Sequence, residues 1–111
     1  MEKAPSRRSI RMSDQLMREL ALLLSEEIQD PRLELVTISG VRLNQDLSVA
    51  TVLYTLNGDE KRMKAAGDAL NQAKGFLRKQ IGSRMKTKFV PELRFQRDEF
   101  LETMVYGHSH E

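Results

Sequence analysis

Apolar residues recur every three or four positions in the first third of the chain, which is the spacing of one face of a helix. The members of this stripe are Met12, Leu16, Leu20, Leu23, Leu24 and Ile28. Ser6 or Ser9 offers a side-chain oxygen as N-cap, and Asp30-Pro31 stops the helix because a residue before proline avoids helical geometry. We therefore predict a first helix over residues 9–29.

Alternating apolar and polar residues predict two strands next, over residues 35–43 and 47–56. Asn44-Gln45-Asp46 would join them as a short hairpin loop. The apolar phase of the first strand slips at Gly40, so we predict a β-bulge near Ser39-Gly40. One face of the second strand is expected in the core, through Ala50, Val52, Tyr54 and Leu56.

A second helical stripe covers residues 59–87, after a helix cap expected at Asn57. One straight helix of that length would measure about 43 Å. A globule of this size has a radius of gyration of about 13 Å, so a straight helix would overhang its own domain. Gly75 lies nearest the middle and lowers helix stability by about 1 kcal/mol relative to alanine. We therefore predict two helices that meet at Ala73-Lys74-Gly75.

The last strand is predicted over residues 89–97, with Leu93 and Phe95 facing the core. The order helix, strand, strand, helix, helix, strand predicts an α+β fold in which a three-stranded sheet packs on helices. The chain then divides into a flexible N-terminal arm (1–8), one domain (9–98) and a short polar tail (99–111).

The composition excludes several classes of function. With no cysteine, the chain has no disulfide, thiolate metal site or Cys nucleophile. It has neither an apolar run near the roughly 20 residues that span a bilayer nor a signal peptide, so we expect a soluble, cytoplasmic protein. Catalytic triads, phosphate loops and metal-ligand spacings are missing, which predicts a non-enzymatic protein without a cofactor. His108 and His110 favour an exposed tail over a weak metal site.

Charges are strongly segregated along the chain, although the formal net charge is only +2. Residues 61–97 hold eleven of the eighteen Lys and Arg residues and two acids, an excess of nine positive charges. Residues 19–60 carry an excess of six negative charges. Such a positive face attracts a polyanion, so we favour nucleic acid as partner over a solvated basic face with no partner.

The first predicted helix begins with basic residues and ends with acidic ones, among them Glu26, Glu27 and Asp30. This order opposes the helix dipole at both ends. Either chance or a requirement other than helix stability placed these charges.

Aromatic residues are few, and they alternate with polar residues as core positions do. Phe76, for example, is expected in the core. Because modules that read single strands by stacking expose several aromatic side chains, we expect nucleic-acid binding to rest on charge and shape.

Several short stretches, in this order and spacing, resemble the ribosome-binding factor A family. They are Asp30-Pro31-Arg32-Leu33, Val36-Thr37-Ile38, the hairpin strand 46–52, Ala73-Lys74-Gly75-Phe76-Leu77-Arg78 and Pro91-Glu92-Leu93-Arg94-Phe95. The resemblance runs from about residue 8 to residue 98. It implies a KH-like fold of the prokaryotic topology (type II), whose usual Gly-x-x-Gly loop is replaced by the 73–75 junction.

The resemblance also implies a function. Members of the family bind free or immature 30S ribosomal subunits and their 16S rRNA precursor, and support late subunit maturation, rRNA processing and cold adaptation without performing chemistry. We expect this chain to do the same as a monomer with no membrane contact. The alternatives are a general KH-like module for single-stranded nucleic acid, a protein-interaction domain that uses the sheet face or edge, and, most remotely, an enzyme.

The predicted RNA-binding site centres on the 73–75 junction. There the amides that open the next helix would form an anion site, because a helix N-terminus attracts phosphate. The alternative is a glycine required for packing, with solvated neighbours. The full set of candidate residues is Arg7, Arg8, Arg11, Lys74, Gly75, Arg78, Lys79, Arg84, Lys86 and Lys88.

Overall fold

Helix α1 spans Arg7–Glu26 in the computed structural model, which describes residues 5–106. The helix starts two residues earlier than predicted because Ser6 is the N-cap and accepts a hydrogen bond from the Ser9 backbone N–H at 3.1 Å. It ends three residues earlier, and a single 3-10 turn, Pro31–Leu33, follows. The predicted apolar stripe is confirmed at its centre, because Leu16, Leu20 and Leu23 are fully buried.

The sheet has three strands, β1 (Thr37–Leu43), β2 (Val49–Thr55) and β3 (Glu92–Arg97), in the order β1-β2-β3. Strand β2 pairs antiparallel with β1 and parallel with β3. The predicted bulge is confirmed by a register shift between Ile38 and Gly40. It allows residues of both apolar phases of β1 to pack against one core.

The hairpin loop between β1 and β2 is longer than predicted, because β2 starts at Val49 and not at residue 47. Leu47 has φ 62°, which is left-handed backbone geometry that a strand residue does not adopt. The Asn44 side chain closes the loop by accepting the Val49 backbone N–H at 2.8 Å. Beyond the loop the predicted core face of β2 is confirmed, with Ala50 and Val52 fully buried.

Helix α2 runs without interruption from Glu60 to Met85, so the prediction of two helices that meet at Ala73-Lys74-Gly75 is wrong. The cap is Asp59, not Asn57, and its carboxylate accepts the Arg62 backbone N–H at 2.8 Å. The prediction failed because it assumed a sphere. The molecule is a plate of 43 × 37 × 17 Å, and a 26-residue helix of about 39 Å lies within its long dimensions.

A third helix, α3 (Glu99–Tyr106), lies in the segment predicted to be a polar tail. Asp98 precedes it and fixes its start: the Asp98 carboxylate accepts the Leu101 backbone N–H at 3.0 Å and the Ser39 hydroxyl at 2.9 Å. The Asp98 backbone N–H also donates to the carbonyl of Tyr54 at 2.8 Å. The start of α3 is therefore tied to two strands.

Glu102 anchors the middle of α3 although it is an acidic residue. Only 2% of Glu102 is exposed, and its carboxylate accepts a hydrogen bond from the backbone N–H of Leu56 at 3.2 Å. The Arg97 side chain donates to the same carboxylate at 3.2 Å. The charge of Glu102 is thus neutralised inside the fold.

One apolar core lies between the helices and one face of the sheet, and Leu93 of β3 is fully buried in it while Phe95 packs at its margin. The predicted α+β class with a three-stranded sheet is confirmed. The boundaries that separate arm, domain and tail stay a prediction.

Candidate nucleic-acid interface

Several cations within residues 61–97 form ion pairs with acidic residues of the same chain. Lys64 pairs with Asp68 at 2.9 Å, and Arg94 pairs with Glu92 at 3.3 Å. Arg97 pairs with Glu102. Asp68 and Glu92 are the two acids already counted within residues 61–97, so of these pairs only that of Arg97 with Glu102 lowers the excess of nine positive charges.

Arg84, a predicted site residue, joins α2 to α1. Its guanidinium lies 3.3 Å from the Glu19 carboxylate and 3.4 Å from that of Glu27. Only 29% of the Arg84 side chain is exposed, so water screens these pairs incompletely. We assign Arg84 to the frame of the site and not to its contact surface.

Arg78, the second arginine of the predicted site, joins α2 to the segment that leads into β3. It donates to the backbone carbonyls of Val90 at 2.9 Å and of Pro91 at 3.2 Å. Neither carbonyl belongs to the sheet, since β3 begins at Glu92. Arg78 therefore gives these two backbone carbonyls a hydrogen-bond partner outside the sheet, and it holds α2 against the start of β3.

Four lysines of the predicted site have no ion-pair partner within residues 5–106. They lie on the second half of α2 and just beyond its end, and we call them the α2 lysine group: Lys74, Lys79, Lys86 and Lys88. Lys79, Lys86 and Lys88 are exposed, and Lys74 is half-buried. An unpaired lysine is a mobile point charge suited to phosphate.

The end of α2 determines the position of Lys86. It is the C-cap, with φ 52° in the left-handed region, and its backbone N–H donates to the carbonyl of Gly82. The Thr87 backbone N–H donates to the same carbonyl at 3.1 Å. The chain turns sharply here, and the turn carries Lys86 and Lys88 around the end of the helix.

Gly75 lies on the exposed side of α2, where an added Cβ would meet nothing within 4 Å. The glycine is therefore not required for packing, and it does not break the helix. The predicted anion site at helix-opening amides is wrong, because residues 73–75 lie inside one helix whose amides bond along it. What remains is a patch of bare helix backbone one turn from Lys79.

The remaining predicted residues form a second set at the start of α1, which we call the α1 arginine group: Arg7, Arg8 and Arg11. All three are exposed in the first two turns of the helix. None has an ion-pair partner in the described part of the chain. The ten predicted residues thus divide into two basic groups without ion-pair partners in the described chain, an exposed glycine, and two arginines that hold α2 in place.

The expectation that the aromatic residues are buried is wrong for three phenylalanines. Phe76 is 42% exposed, Phe89 is 86% exposed and Phe100 is 77% exposed. Phe76 adjoins Gly75 and Phe89 adjoins Lys88, so two of them lie beside the α2 lysine group. The signal for Phe76 was available, since it is one residue, or about 100° around the helix, from the buried Leu77.

Other classes of site find no support in residues 5–106. No group of three or more His, Cys, Asp or Glu residues there could hold a metal ion. No helix of this part of the chain has the length and apolar character needed to cross a membrane. His108 and His110 lie outside the described residues.

Comparison with known proteins assigns the family. The family model described as ribosome-binding factor A matches residues 8–108. The ribosome-binding factor A of Nitrosomonas europaea is 41% identical over 95 residues, which cover 86% of this chain and 81% of that protein.

Solved structures agree with this assignment. The crystal structure of ribosome-binding factor A from Thermus thermophilus superimposes with a TM-score of 0.73 at 31% identity, over 80% of this chain and 93% of that chain. A homology model of the Thermus thermophilus protein, fitted into the cryo-EM map of a 30S–RbfA complex, gives a TM-score of 0.64 at 33% identity, over 76% of this chain and 88% of that chain. With its α+β fold and the match over residues 8–108, this chain belongs to the ribosome-binding factor A family.

Proposed function

We propose that this protein binds the immature 30S ribosomal subunit and its 16S rRNA precursor, and that it supports late subunit maturation and rRNA processing without catalysis. The observation that carries the proposal is its likeness to the Thermus relative, which was fitted into a map of a 30S complex. We expect it to act in the cytoplasm as a monomer and to contribute to growth in the cold.

The α2 lysine group and the α1 arginine group are the proposed contacts with rRNA phosphates. Phosphate contacts release counterions from the RNA, so binding that depends on them weakens as salt is added. The mechanism is occupancy: the protein holds one rRNA region until maturation displaces it. Arg78 and Arg84 act indirectly, because they keep α2 in place beneath the lysines.

Cosedimentation of the purified protein with precursor small subunits, over a range of salt concentrations, tests this function. About six phosphate contacts should give a log–log slope of the association constant against salt of about −4 to −5. Mature 70S ribosomes are the control particle. They sediment, and we expect the protein to stay behind in the supernatant. Binding that does not change with salt, or that is equal for both particles, would contradict the proposal.

A general module for single-stranded nucleic acid is the second candidate, and the exposed Phe76 and Phe89 favour it. An exposed aromatic ring stacks on any base and contributes roughly 1–3 kcal/mol per base. Short single-stranded RNA and intact precursor subunits therefore need direct comparison. Equal affinity for both would favour the general module over the assembly factor.

Replacing Gly75 by alanine should stabilise the protein and weaken its binding to precursor subunits. In an exposed helix interior, alanine is about 0.8–1 kcal/mol more favourable than glycine, so the free energy of unfolding should rise by roughly that amount. The added methyl group would keep an RNA backbone away from bare helix. Urea unfolding and cosedimentation measure the two effects.

Asn71→Ala is the matched control, since Asn71 is also exposed on α2 and also gains helix propensity. It should stabilise the protein without loss of affinity. If the two variants bind equally well, then the bare backbone at Gly75 is not a contact.

A further inference from the structure

Phe89 is 86% exposed, more than any other large apolar residue within residues 5–106. It lies in the loop between the end of α2 and the start of β3. The two residues that follow it turn inward, since Val90 packs against the core and Pro91 is buried. Hydrophobic burial alone would place the largest of these three apolar side chains inside. The loop instead leaves the phenyl ring in water.

The loop that presents this ring is anchored to α2 at several points. The Thr87 hydroxyl donates to the Phe89 carbonyl at 3.3 Å and accepts the Phe89 backbone N–H at 3.3 Å. Arg78 binds the next two carbonyls at 2.9 and 3.2 Å. Val90 lies so close to Gly82 that an added Cβ there would be 3.2 Å from its Cγ2. Because the loop is already fixed, a partner that covers the ring has little backbone to order.

Positive charge surrounds the ring on its own loop. Lys86 and Lys88 are exposed and have no ion-pair partner within residues 5–106. The nearest acidic residue along the chain, Glu92, pairs with Arg94 at 3.3 Å. A partner that fits here must combine a flat apolar face with negative charges close to that face. A nucleotide has this combination in a single unit, since its base is flat and its phosphates are anionic.

We propose that Phe89 stacks on one unpaired base of the rRNA, and that Lys86 and Lys88 hold the phosphates beside that base. Any base offers a π-face to an aromatic ring, but a base inside a duplex is already covered on both faces. This part of the interface therefore selects a loop, bulge or end of the rRNA. The inference deepens the proposed function and rests on it, because it takes the rRNA as the partner.

Cosedimentation of Phe89→Ala with precursor small subunits, over a range of salt concentrations, tests the proposal. We expect the affinity to fall by roughly tenfold at every salt concentration, as for the loss of one stacked base. The salt slope should not change, because a stacked base releases no counterion. A slope that falls together with the affinity would show that Phe89 only positions the lysines, and would overturn the proposal.

Phe100→Ala is the matched control. Phe100 is 77% exposed and follows the other end of β3, whose six residues extend about 20 Å. Its replacement should leave the affinity and the salt slope unchanged. Equal losses for the two alanine variants would show that any exposed ring contributes, and would overturn the assignment to Phe89. Because both rings are exposed, the urea midpoint of each variant should match that of the unmodified protein.

An apolar pocket of a ribosomal protein is the competing occupant, and two further variants distinguish it. Phe89→Tyr keeps a π-face, so its affinity should stay within about twofold of that of the unmodified protein. Phe89→Leu keeps an apolar side chain without a π-face and should lose about as much affinity as Phe89→Ala. Leucine that binds as tightly as phenylalanine would make the occupant an apolar pocket and would overturn the proposal.

The unmodified protein separates a failure of this inference from a failure of the proposed function. If it does not prefer precursor subunits to 70S ribosomes, then both fail. If it binds precursor subunits with the expected salt slope and Phe89→Ala binds them equally well, then only the stacked base is excluded.

Discussion

Replacing Lys79, Lys86 and Lys88 by glutamate should lower the affinity for precursor small subunits by roughly 100-fold or more. Each of these lysines is exposed and has no ion-pair partner in the described chain, so each is available to a phosphate. Losing three of about six contacts should also halve the magnitude of the salt slope, from about 4–5 to about 2–2.5. Cosedimentation at several salt concentrations measures both effects.

Arg78 and Arg84 are left out of this variant because their side chains hold α2 in place. Their loss would confuse a change in folding with a change in binding. The charge-matched control is the triple variant Arg18→Glu, Arg42→Glu, Lys61→Glu, which reverses exposed cations outside both basic groups. If the two triple variants lose affinity equally, net charge and not the α2 lysine group determines binding. Circular dichroism should show the native helix content in both.

Replacing Glu102 by alanine should lower the free energy of unfolding by about 3 kcal/mol. The buried backbone N–H of Leu56 would lose its acceptor, and Arg97 would lose the carboxylate at 3.2 Å. The magnitude is at the low end for a broken buried pair, because Arg97 keeps Glu60 at 3.6 Å and is 29% exposed. Urea unfolding followed by circular dichroism gives the value.

Glu102→Gln and Glu99→Ala are the controls for this prediction. Glutamine keeps a hydrogen-bond acceptor but not the charge, so we expect a smaller loss of about 1 kcal/mol. Glu99 is exposed in the first turn of the same helix, and its replacement should change stability by less than about 0.5 kcal/mol. Equal losses for Glu102→Ala and Glu99→Ala would show that α3 is not anchored through Glu102.

The strands could be predicted from local pattern because alternation has a period that a few residues reveal. Ala50 and Val52 fix the buried face of β2, and the slip at Gly40 fixes the bulge. The strand ends were less predictable. Leu47 carries no signal in its chemistry for the left-handed backbone that delays the start of β2.

Two errors in the helices have a common cause, which is that tertiary shape decided them. The continuity of α2 depends on a flat molecule, which local sequence does not reveal. Helix α3 was missed because the residue that anchors it to the rest of the fold is Glu102. A search for an apolar stripe does not count a buried carboxylate. Its partners are Arg97, at the end of β3, and Leu56, just after β2, and both lie outside α3.

The candidate site was predictable as a charge excess but not as a surface. Sequence could not separate Lys79, which has no ion-pair partner within residues 5–106, from Arg84, whose acidic partners are more than fifty residues away. It also led to the interpretation of Gly75 as a joint between helices. The structure instead leaves that glycine open to the outside.

The two basic groups lie toward opposite ends of α1. Arg7 and Glu26 stand at the two ends of this helix, roughly 28 Å apart at the usual rise per residue. The α1 arginine group lies at the first end, whereas Arg84 ties the last turn of α2, and with it Lys86 and Lys88, to Glu19 and Glu27 in the second half of α1. A polyanion that engages both groups would therefore span the length of α1, and the association rate would fall as ionic strength rises.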